Sequence, residues 1–313
     1  MNTDPLSDVL RAVRLDGAFF YAVKASEPWS VEAVAAKELS PRILPGAEHL
    51  ISYHILITGR CWGGLIGERP VALEPGDVIV FPHGDAHVMS GDPDAGVKSV
   101  PATPGRFPET VTLGDGGRVT AAFVCGFLGC DRRPFNPLLS TLPRRLHLPG
   151  LTSGWLQSFA HQVVEESRAQ RVGADSVLTR LAELMFVEVL RRYIETLPPG
   201  QQGWLASLRD DVVGRGLGLL HGAPAHPWTL DELAGSVAMS RSAFADRFTT
   251  LVGQPPMQYL AQWRMQLAAG RLSTGSAKVA AIAEEVGYES EAAFGRVFKR
   301  IAGVSPAAWR ARR

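Results

Sequence analysis

The stretch Ala234 to Gly253, AGSVAMSRSAFADRFTTLVG, returns near the C-terminus as Ala283 to Gly303, AEEVGYESEAAFGRVFKRIAG. An internal repeat ties both copies to one local structure, since the residues kept at fixed spacing are those that a supersecondary unit needs. Leu233, Ala234, Val237 and Met239 recur 49 residues on as Ile282, Ala283, Val286 and Tyr288. After a one-residue slip, Ser240, Phe244, Phe248, Gly253 and Pro256 recur 50 residues on as Ser290, Phe294, Phe298, Gly303 and Pro306. Each serine stands where an N-cap hydroxyl would accept from the free amides of a first helical turn. Phe244, Phe248 and Leu251, like Phe294, Phe298 and Ile301, fall at i, i+4 and i+7, which gives each helix one apolar face. Gly253 and Gly303 suit the left-handed residue that ends a helix. The pattern is a short helix, a tight turn and a second helix, written twice.

One amphipathic hairpin of this kind is ordinary in helical proteins. Two copies, with the run Gly287-Tyr288-Glu289-Ser290, the Phe294 to Phe298 pair, the exit Gly303-Val304-Ser305-Pro306 and the terminal Trp309-Arg310, resemble the tandem helix-turn-helix domain of AraC/XylS-family transcription regulators. The resemblance covers roughly Pro227 to Arg313. It implies that the helices starting at Ser240 and Ser290 enter successive major grooves on one side of a duplex. The polar faces opposite the phenylalanines then hold the candidate DNA-contacting set: Arg241, Ser242, Ala245 and Asp246 in the first copy, with Thr249 on the same face, and Glu291, Ala292, Gly295, Arg296 and Lys299 in the second.

The net charge of +1 hides an asymmetry. Ser207 to Arg313 holds 13 lysines and arginines against nine acids, a net of +4, and the remainder holds 19 against 22, a net of −3. The excess of base lies where phosphate would be met. Met1 to Val23 has Asp4 and Asp8 ahead of any apolar run, which is not a secretory signal, and no stretch approaches the roughly 18 apolar residues of a membrane span. A soluble, cytoplasmic protein is expected. Its three cysteines argue against a structural disulfide framework.

Between Gly17 and Val124 short apolar runs (Phe19 to Val23, Ile51 to Ile57, Val78 to Phe81, Val119 to Val124) alternate with Gly59, Gly63-Gly64, Gly76, Pro82 and Gly84. Such punctuation predicts a β-sandwich or small barrel. The segment Gly76 to His87, GDVIVFPHGDAH, is similar to the second cupin motif, and Leu73-Glu74-Pro75-Gly76-Asp77 ahead of it is similar to the cupin-like sensor halves of the same regulators. The first cupin motif, which supplies two histidines and a glutamate in metal-bearing cupins, is not evident. His49 and His54 are five apart and of opposite parity on a strand, so they would not converge on one metal.

A metal-free cupin-like barrel with His87 a packed residue is therefore favoured, and no cofactor is assigned. Two sharper readings stand beside it. His87 could ligate a metal together with Cys125 and Cys130, joined by Cys61 or His54, a set suited to zinc. Alternatively Cys125 or Cys130 could be a redox-reactive thiol whose pKa is lowered by Arg132 and Arg133. The effector-binding candidates are His54, His87, Cys125 and Cys130, in a pocket lined by the His54 strand, the Gly76 to His87 strand and the Val119 to Cys125 strand.

Leu151 to Arg171 and Asp175 to Leu197 read as helices, the second apolar around more than half its circumference, which suits burial against both the barrel and a second subunit, with burial entirely within one chain as the alternative. Trp204 to Leu220 reads as a helix leading into the DNA-binding part. Thr229 with Glu232 makes a capping box, and Pro256 to Leu272 forms a long connecting helix with Leu260, Trp263, Leu267 and Ala268 facing both copies.

The expected fold class is α+β and multidomain. A cupin-like β-barrel sensor spans 1–150, a helical dimerisation segment 151–200 and an all-α tandem helix-turn-helix domain 207–313, with units at about 229–251 and 279–301. The expected function is sequence-specific regulation of transcription, without enzymatic activity. Promoter DNA, a second copy of the chain and an unidentified small effector are the partners, RNA polymerase is a further candidate, and no membrane is involved. The rival is a metal-dependent cupin oxygenase or isomerase with a helical accessory domain.

Overall fold

A computed structural model describes residues 4–13, 15, 17–95, 110–131, 134–150, 158–159, 162–163, 165–166, 169, 171–198 and 200–311. The expected helix over Leu151 to Arg171 lies largely outside them, as do Arg132 and Arg133. The chain divides into two units, one formed by Leu15–Asp131 and Leu142–Glu195, the other by Met1–Arg14, Arg132–Thr141 and Thr196–Arg313. The architecture is the α+β combination of barrel and helical domain expected from the sequence.

Among the described residues the first unit carries ten strands: β1 (Ala18–Ser26), β2 (Ser30–Ala33), β3 (His49–Gly59), β4 (Cys61–Leu65), β5 (Val71–Leu73), β6 (Val78–Phe81), β7 (His87–Ser90), β8 (Thr110–Leu113), β9 (Val119–Cys130) and β10 (Leu146–Leu148). They make a six-stranded sheet in the order β10-β6-β3-β9-β1-β8 and a four-stranded sheet in the order β2-β7-β4-β5. The two sheets bury one core between them. Tyr21 and Val23 of β1, Leu50 and Leu56 of β3, Ile79 and Phe81 of β6, and Phe123, Cys125 and Phe127 of β9 meet Cys61 and Leu65 of β4 and Met89 of β7. Each strand contributes alternate residues, as the two-residue period of a pleated strand requires. In β9, Gly126 is placed where a Cβ would lie 2.2 Å from the Tyr53 ring. The missing side chain makes room for the buried tyrosine.

The motif Gly76 to His87, expected as one strand, is split between the sheets. β6 ends at Phe81, the chain turns through Pro82 and Gly84 (φ 67°), and β7 begins at His87 in the other sheet. Proline and left-handed glycine end the first strand, and the turn delivers His87 to the shared core. A helix, α4 (Ala174–Thr196), follows in the same unit and buries Leu178, Ala182, Met185, Phe186, Val189 and Leu190. The shorter helix α2 (Ala36–Ile43) lies between β2 and β3.

The second unit is helical: α1 (Pro5–Ala12), α3 (Pro137–Thr141), α5 (Trp204–Ser207), α6 (Asp211–Gly222), α7 (Leu230–Ser236), α8 (Arg241–Val252), α9 (Pro256–Thr274), α10 (Val279–Glu285), α11 (Glu291–Ala302) and α12 (Pro306–Arg310). The single helix expected over Trp204 to Leu220 is two. Asp210 interrupts it, its carboxylate accepting from the N–H groups of Val212 and Val213 and so capping α6. An aspartate that can satisfy the free amides of a new turn starts a helix better than it continues one. The capping box at Thr229 is half made: Glu232 N–H donates to Thr229 Oγ1 at 3.1 Å, while the Glu232 carboxylate pairs with His226 Nε2 at 2.8 Å.

The connecting helix α9 is buried on several sides. Tyr259, Leu260 and Trp263 are buried along its first half, and Met265, Ala268, Ala269 and Leu272 join Ile282, Ala283, Val286, Phe294, Phe298 and Trp309 in the core of the second repeat. Leu267 is only partly buried.

Candidate nucleic-acid interface and the barrel interior

The repeat is a structural one. Leu233 and Ile282, Ala234 and Ala283, Val237 and Val286, Phe244 and Phe294, and Phe248 and Phe298 are all buried. In both copies the turn passes through a left-handed residue at the same place, Ala238 (φ 58°) in the first and Gly287 (φ 83°) in the second. Ala243 N–H donates to Ser240 Oγ at 3.4 Å and Ala293 N–H to Ser290 Oγ at 3.2 Å. Gly253 and Gly303 close α8 and α11 in the left-handed conformation.

With the phenylalanines inside, Arg241, Ser242, Asp246 and Thr249 of α8 are exposed, as are Glu291, Ala292, Arg296 and Lys299 of α11, and Ala245 and Gly295 are half-buried on the same faces. Arg241 lies 3.6 Å from Asp231 in an exposed pair, a weak tether. Arg296 and Lys299 make no hydrogen bond or ion pair with another described residue. Arg247, by contrast, is held by Asp210 at 2.7 Å, so the cation nearest the middle of α8 is occupied. Two helices thus present uncovered polar faces whose charged ends can meet phosphate and whose small residues (Ala245, Ala292, Gly295) allow close approach.

Arg264 and Gln266, both on α9, are structural polar residues that periodicity did not single out. The Arg264 guanidinium donates to the carbonyls of Pro224, His226 and Gly287 and lies over the Tyr288 ring, fastening the loop before α7 to the turn of the second copy. No local sequence signal marks them, since their partners lie 23 to 40 residues away for Arg264 and further for Gln266.

Inside the barrel, His54, His87 and Cys125 come together. His54 Nδ1 is 2.8 Å from Cys125 Sγ, His54 Nε2 is 2.6 Å from His87 Nε2, and His87 Nδ1 is 2.8 Å from the Asp85 carbonyl. The last contact fixes every proton. A carbonyl only accepts, so His87 Nδ1 carries the hydrogen and its Nε2 accepts from His54 Nε2–H; His54 Nδ1 is then an acceptor for the Cys125 thiol. Tyr21, across from Cys125 in the β1–β9 pair, hydrogen-bonds the same sulfur. Tyr21 was not among the expected site residues, because the register that sets it opposite Cys125 is not written in local sequence. Phe81 stacks on His87 with ring centroids 3.8 Å apart.

Burial holds this chain of groups neutral. It lowers His87 to about 4 and pushes His54 well below its ordinary value, with His87 adding to the shift at His54. Burial also raises the Cys125 thiol strongly, and raises Cys61 to about 12. The depressed pKa that a redox-reactive Cys125 requires is therefore not what its surroundings produce. Cys130, five residues along β9, has the opposite parity and pairs across from His49. It stands apart from the other three. Both ring nitrogens of His54 are engaged by different partners, so His54, His87 and Cys125 do not converge on one point, and among the described residues no group of three or more His, Cys, Asp or Glu side chains has metal-holding geometry. The residues present do not fit a cupin metal.

Comparison with known proteins bears on both units. The family described as "Cupin" matches residues 4–195, and that described as "Helix-turn-helix domain" matches residues 233–312. A putative AraC-like transcription regulator of Streptomyces lividans is 33% identical over 98% of this chain and 98% of its own length, and one of Streptomyces antibioticus is 32% identical with the same coverage. The HTH-type transcriptional regulator AlkR of Acinetobacter baylyi is 28% identical, over 98% of this chain and 99% of its own.

Proposed function

This chain belongs to the AraC family of DNA-binding transcription regulators, and from that premise we propose that α8 and α11 read double-stranded promoter DNA in successive major grooves. Arg241 and Arg296 suit guanine edges or phosphate, Ser242 either donor or acceptor edges, and Glu291 the amino group of cytosine. Lys299 meets phosphate. Asp246 is repelled by the backbone and so belongs over base edges, while Ala245, Ala292 and Gly295 let the helices sit deep in the groove. The observation that carries this reading is the pair of capped helices that bury equivalent phenylalanines and leave the opposite, polar faces uncovered.

The barrel is the sensor in this proposal. A small neutral molecule that exchanges hydrogen bonds with His54, His87 and Cys125 would disturb a chain in which every proton is committed, and Cys130 at the end of β9 marks the strand along which the change is felt. The protein acts as a homodimer through α4, where Val177 and Leu184 are exposed apolar residues one heptad apart on a helix that buries Leu178, Met185, Phe186, Val189 and Leu190. It acts in the cytoplasm, addresses RNA polymerase from the promoter and performs no chemistry of its own.

The test is a duplex selected from a randomised library by the full chain, followed by footprinting. Two protected major-groove segments about one helical turn apart (roughly 10 base pairs) are expected per protomer. Protection of a single groove segment would refute the use of both helices.

A further inference from the structure

Gln266 lies in the middle of α9 and is only 2% exposed. Its amide makes two hydrogen bonds to parts of the chain that are remote in sequence. Nε2–H donates to the carbonyl of Ala12, the last residue of α1, at 3.0 Å, and Oε1 accepts from the N–H of Phe135 at 3.0 Å. The orientation of the amide is dictated by its partners, because a carbonyl can only accept and a backbone N–H can only donate. A buried amide with both ends satisfied is costly to break at either.

Both partners belong to short segments firmly seated on the helical unit. In the first, Val9 and Val13 are fully buried, and Asp8 Oδ2 faces the buried His221 Nδ1 at 3.7 Å. His221 Nε2 in turn contacts the hydroxyl of Tyr259, to which Trp204 Nε1–H donates at 2.8 Å. In the second, the Phe135 ring stands edge-on to Tyr259 with centroids 5.6 Å apart, and Leu139 N–H donates to Asn136 Oδ1.

The connectivity gives these contacts their meaning. The segment ending at Ala12 runs into β1, which starts at Ala18, and the segment holding Phe135 leaves β9, which ends at Cys130. β1 and β9 are antiparallel neighbours with Ala18 paired to Leu128, so both segments join the same end of one strand pair. That pair carries Tyr21 and Cys125, two members of the neutral chain in the barrel.

We propose that Gln266 is the positioning residue that couples the barrel to the DNA-reading helices: one buried amide on the helix between the two reading units holds both chain segments that continue into β1 and β9. A shift at the Tyr21–Cys125 rung changes the tension on the two segments together, and α9 is the element on which the spacing of α8 and α11 depends. The coupling is reciprocal, so operator binding must be felt at the barrel's strand ends. The proposal rests on DNA binding by the helical unit, and its test measures that binding in the same samples.

The experiment is hydrogen–deuterium exchange on the full chain with and without an operator duplex selected by the wild-type protein, with operator affinity measured alongside. In the wild type, DNA is expected to slow exchange at least fivefold in α9 and also in peptides covering 5–13, 18–21, 127–130 and 134–141. In Gln266→Met, nearly the same shape without the amide, operator affinity should stay within about threefold while the DNA-dependent slowing at 18–21 and 127–130 disappears. Gln266→Glu is the second variant, since it keeps the acceptor for Phe135 N–H but sets a carboxylate against the Ala12 carbonyl. It should lose the effect at 18–21 and retain it at 127–130. Slowing at 18–21 equal to that of the wild type in either variant, or equal slowing at 127–130 in Gln266→Met, overturns the proposal, and so does wild-type protein that binds operator with no change at these strand ends. A residue that merely stabilised α9 would lower the melting temperature without altering this DNA-dependent difference.

Discussion

The two helix-turn-helix copies share an interior and differ at their rims. Leu233, Ala234, Val237, Phe244 and Phe248 have buried counterparts in Ile282, Ala283, Val286, Phe294 and Phe298, and both reading helices begin at a serine cap and end at a left-handed glycine. Outside that frame the copies part. The first turns through Ala238 and opens its reading helix with Arg241, loosely paired to Asp231, while its next arginine, Arg247, is taken by Asp210. The second turns through Gly287, has one residue more before its cap, and opens with Glu291 followed by Arg296 and Lys299, which are unpaired among the described residues. Packing holds one set of positions to apolar residues of similar size, whereas an uncovered face is free of that constraint, so the copies agree where they fold and differ on the faces proposed to meet DNA.

If the interiors are equivalent, the largest effects should be equal. Phe248→Ala and Phe298→Ala each remove a fully buried ring and are expected to cost about 3–5 kcal/mol of unfolding free energy, read as the loss in urea midpoint. A cost in one copy less than half that in the other would break the equivalence.

The turns should behave differently. Gly287 sits at φ 83°, and a Cβ there would lie 2.4 Å from the Ala225 carbonyl oxygen and 2.8 Å from Ala225 Cα, so the loop held by Arg264 must move. Gly287→Ala should cost about 2–3 kcal/mol from left-handed strain and the clash together. Ala238 already bears the strain in the first copy, and Ala238→Gly should change stability by less than about 1 kcal/mol, in the stabilising direction. Thermal melts of the two variants compare them directly, and equal shifts of the same sign would dispose of the argument.

How much of this was open to reading in the sequence follows from the same contrast. The helical pairs, their caps and their buried faces were legible, because each rests on contacts three or four residues apart, and the repeat showed the pattern twice. The apolar runs of the barrel were legible as strands, but their partners were not. Parity correctly separated His49 from His54, yet it could not show that His54 faces Cys125, that Tyr21 lies across from Cys125, or that the turn at Pro82 and Gly84 carries His87 into the other sheet. Asp210 as a helix start and Gln266 as a clasp were missed for related reasons. The first is a capping signal inside a run that reads as continuous helix, and the second has its partners 131 and 254 residues away.

The rims give the next prediction. Arg296→Ala should weaken operator binding by about 1–3 kcal/mol if the guanidinium reads a base, or weaken all sequences alike and lower the salt dependence if it meets phosphate. Arg241→Ala should cost less, because the pair with Asp231 already occupies part of its charge in the free protein. Affinity measured over a salt series separates the cases. A folded Arg296→Ala protein with unchanged binding at every salt concentration would take that residue out of the interface.

The smallest effect tests the caps. Ser240 Oγ accepts at 3.4 Å, near the limit of a hydrogen bond, and Ser290 Oγ at 3.2 Å. Replacing a serine cap by alanine typically costs about 1 kcal/mol, so Ser290→Ala should fall near that figure and Ser240→Ala below it. The surroundings act in the same direction. Glu291 gives α11 an acidic first turn that complements the positive end of the helix dipole, while α8 has no acid in its first turn. Urea midpoints of the two variants, with Ser290→Asp and Ser240→Asp as conservative replacements that keep a capping oxygen, measure the difference. Should Ser240→Ala prove the costlier change, the hydroxyl would be holding the short turn after Ala238 rather than the helix, and the two starts would be alike in sequence only.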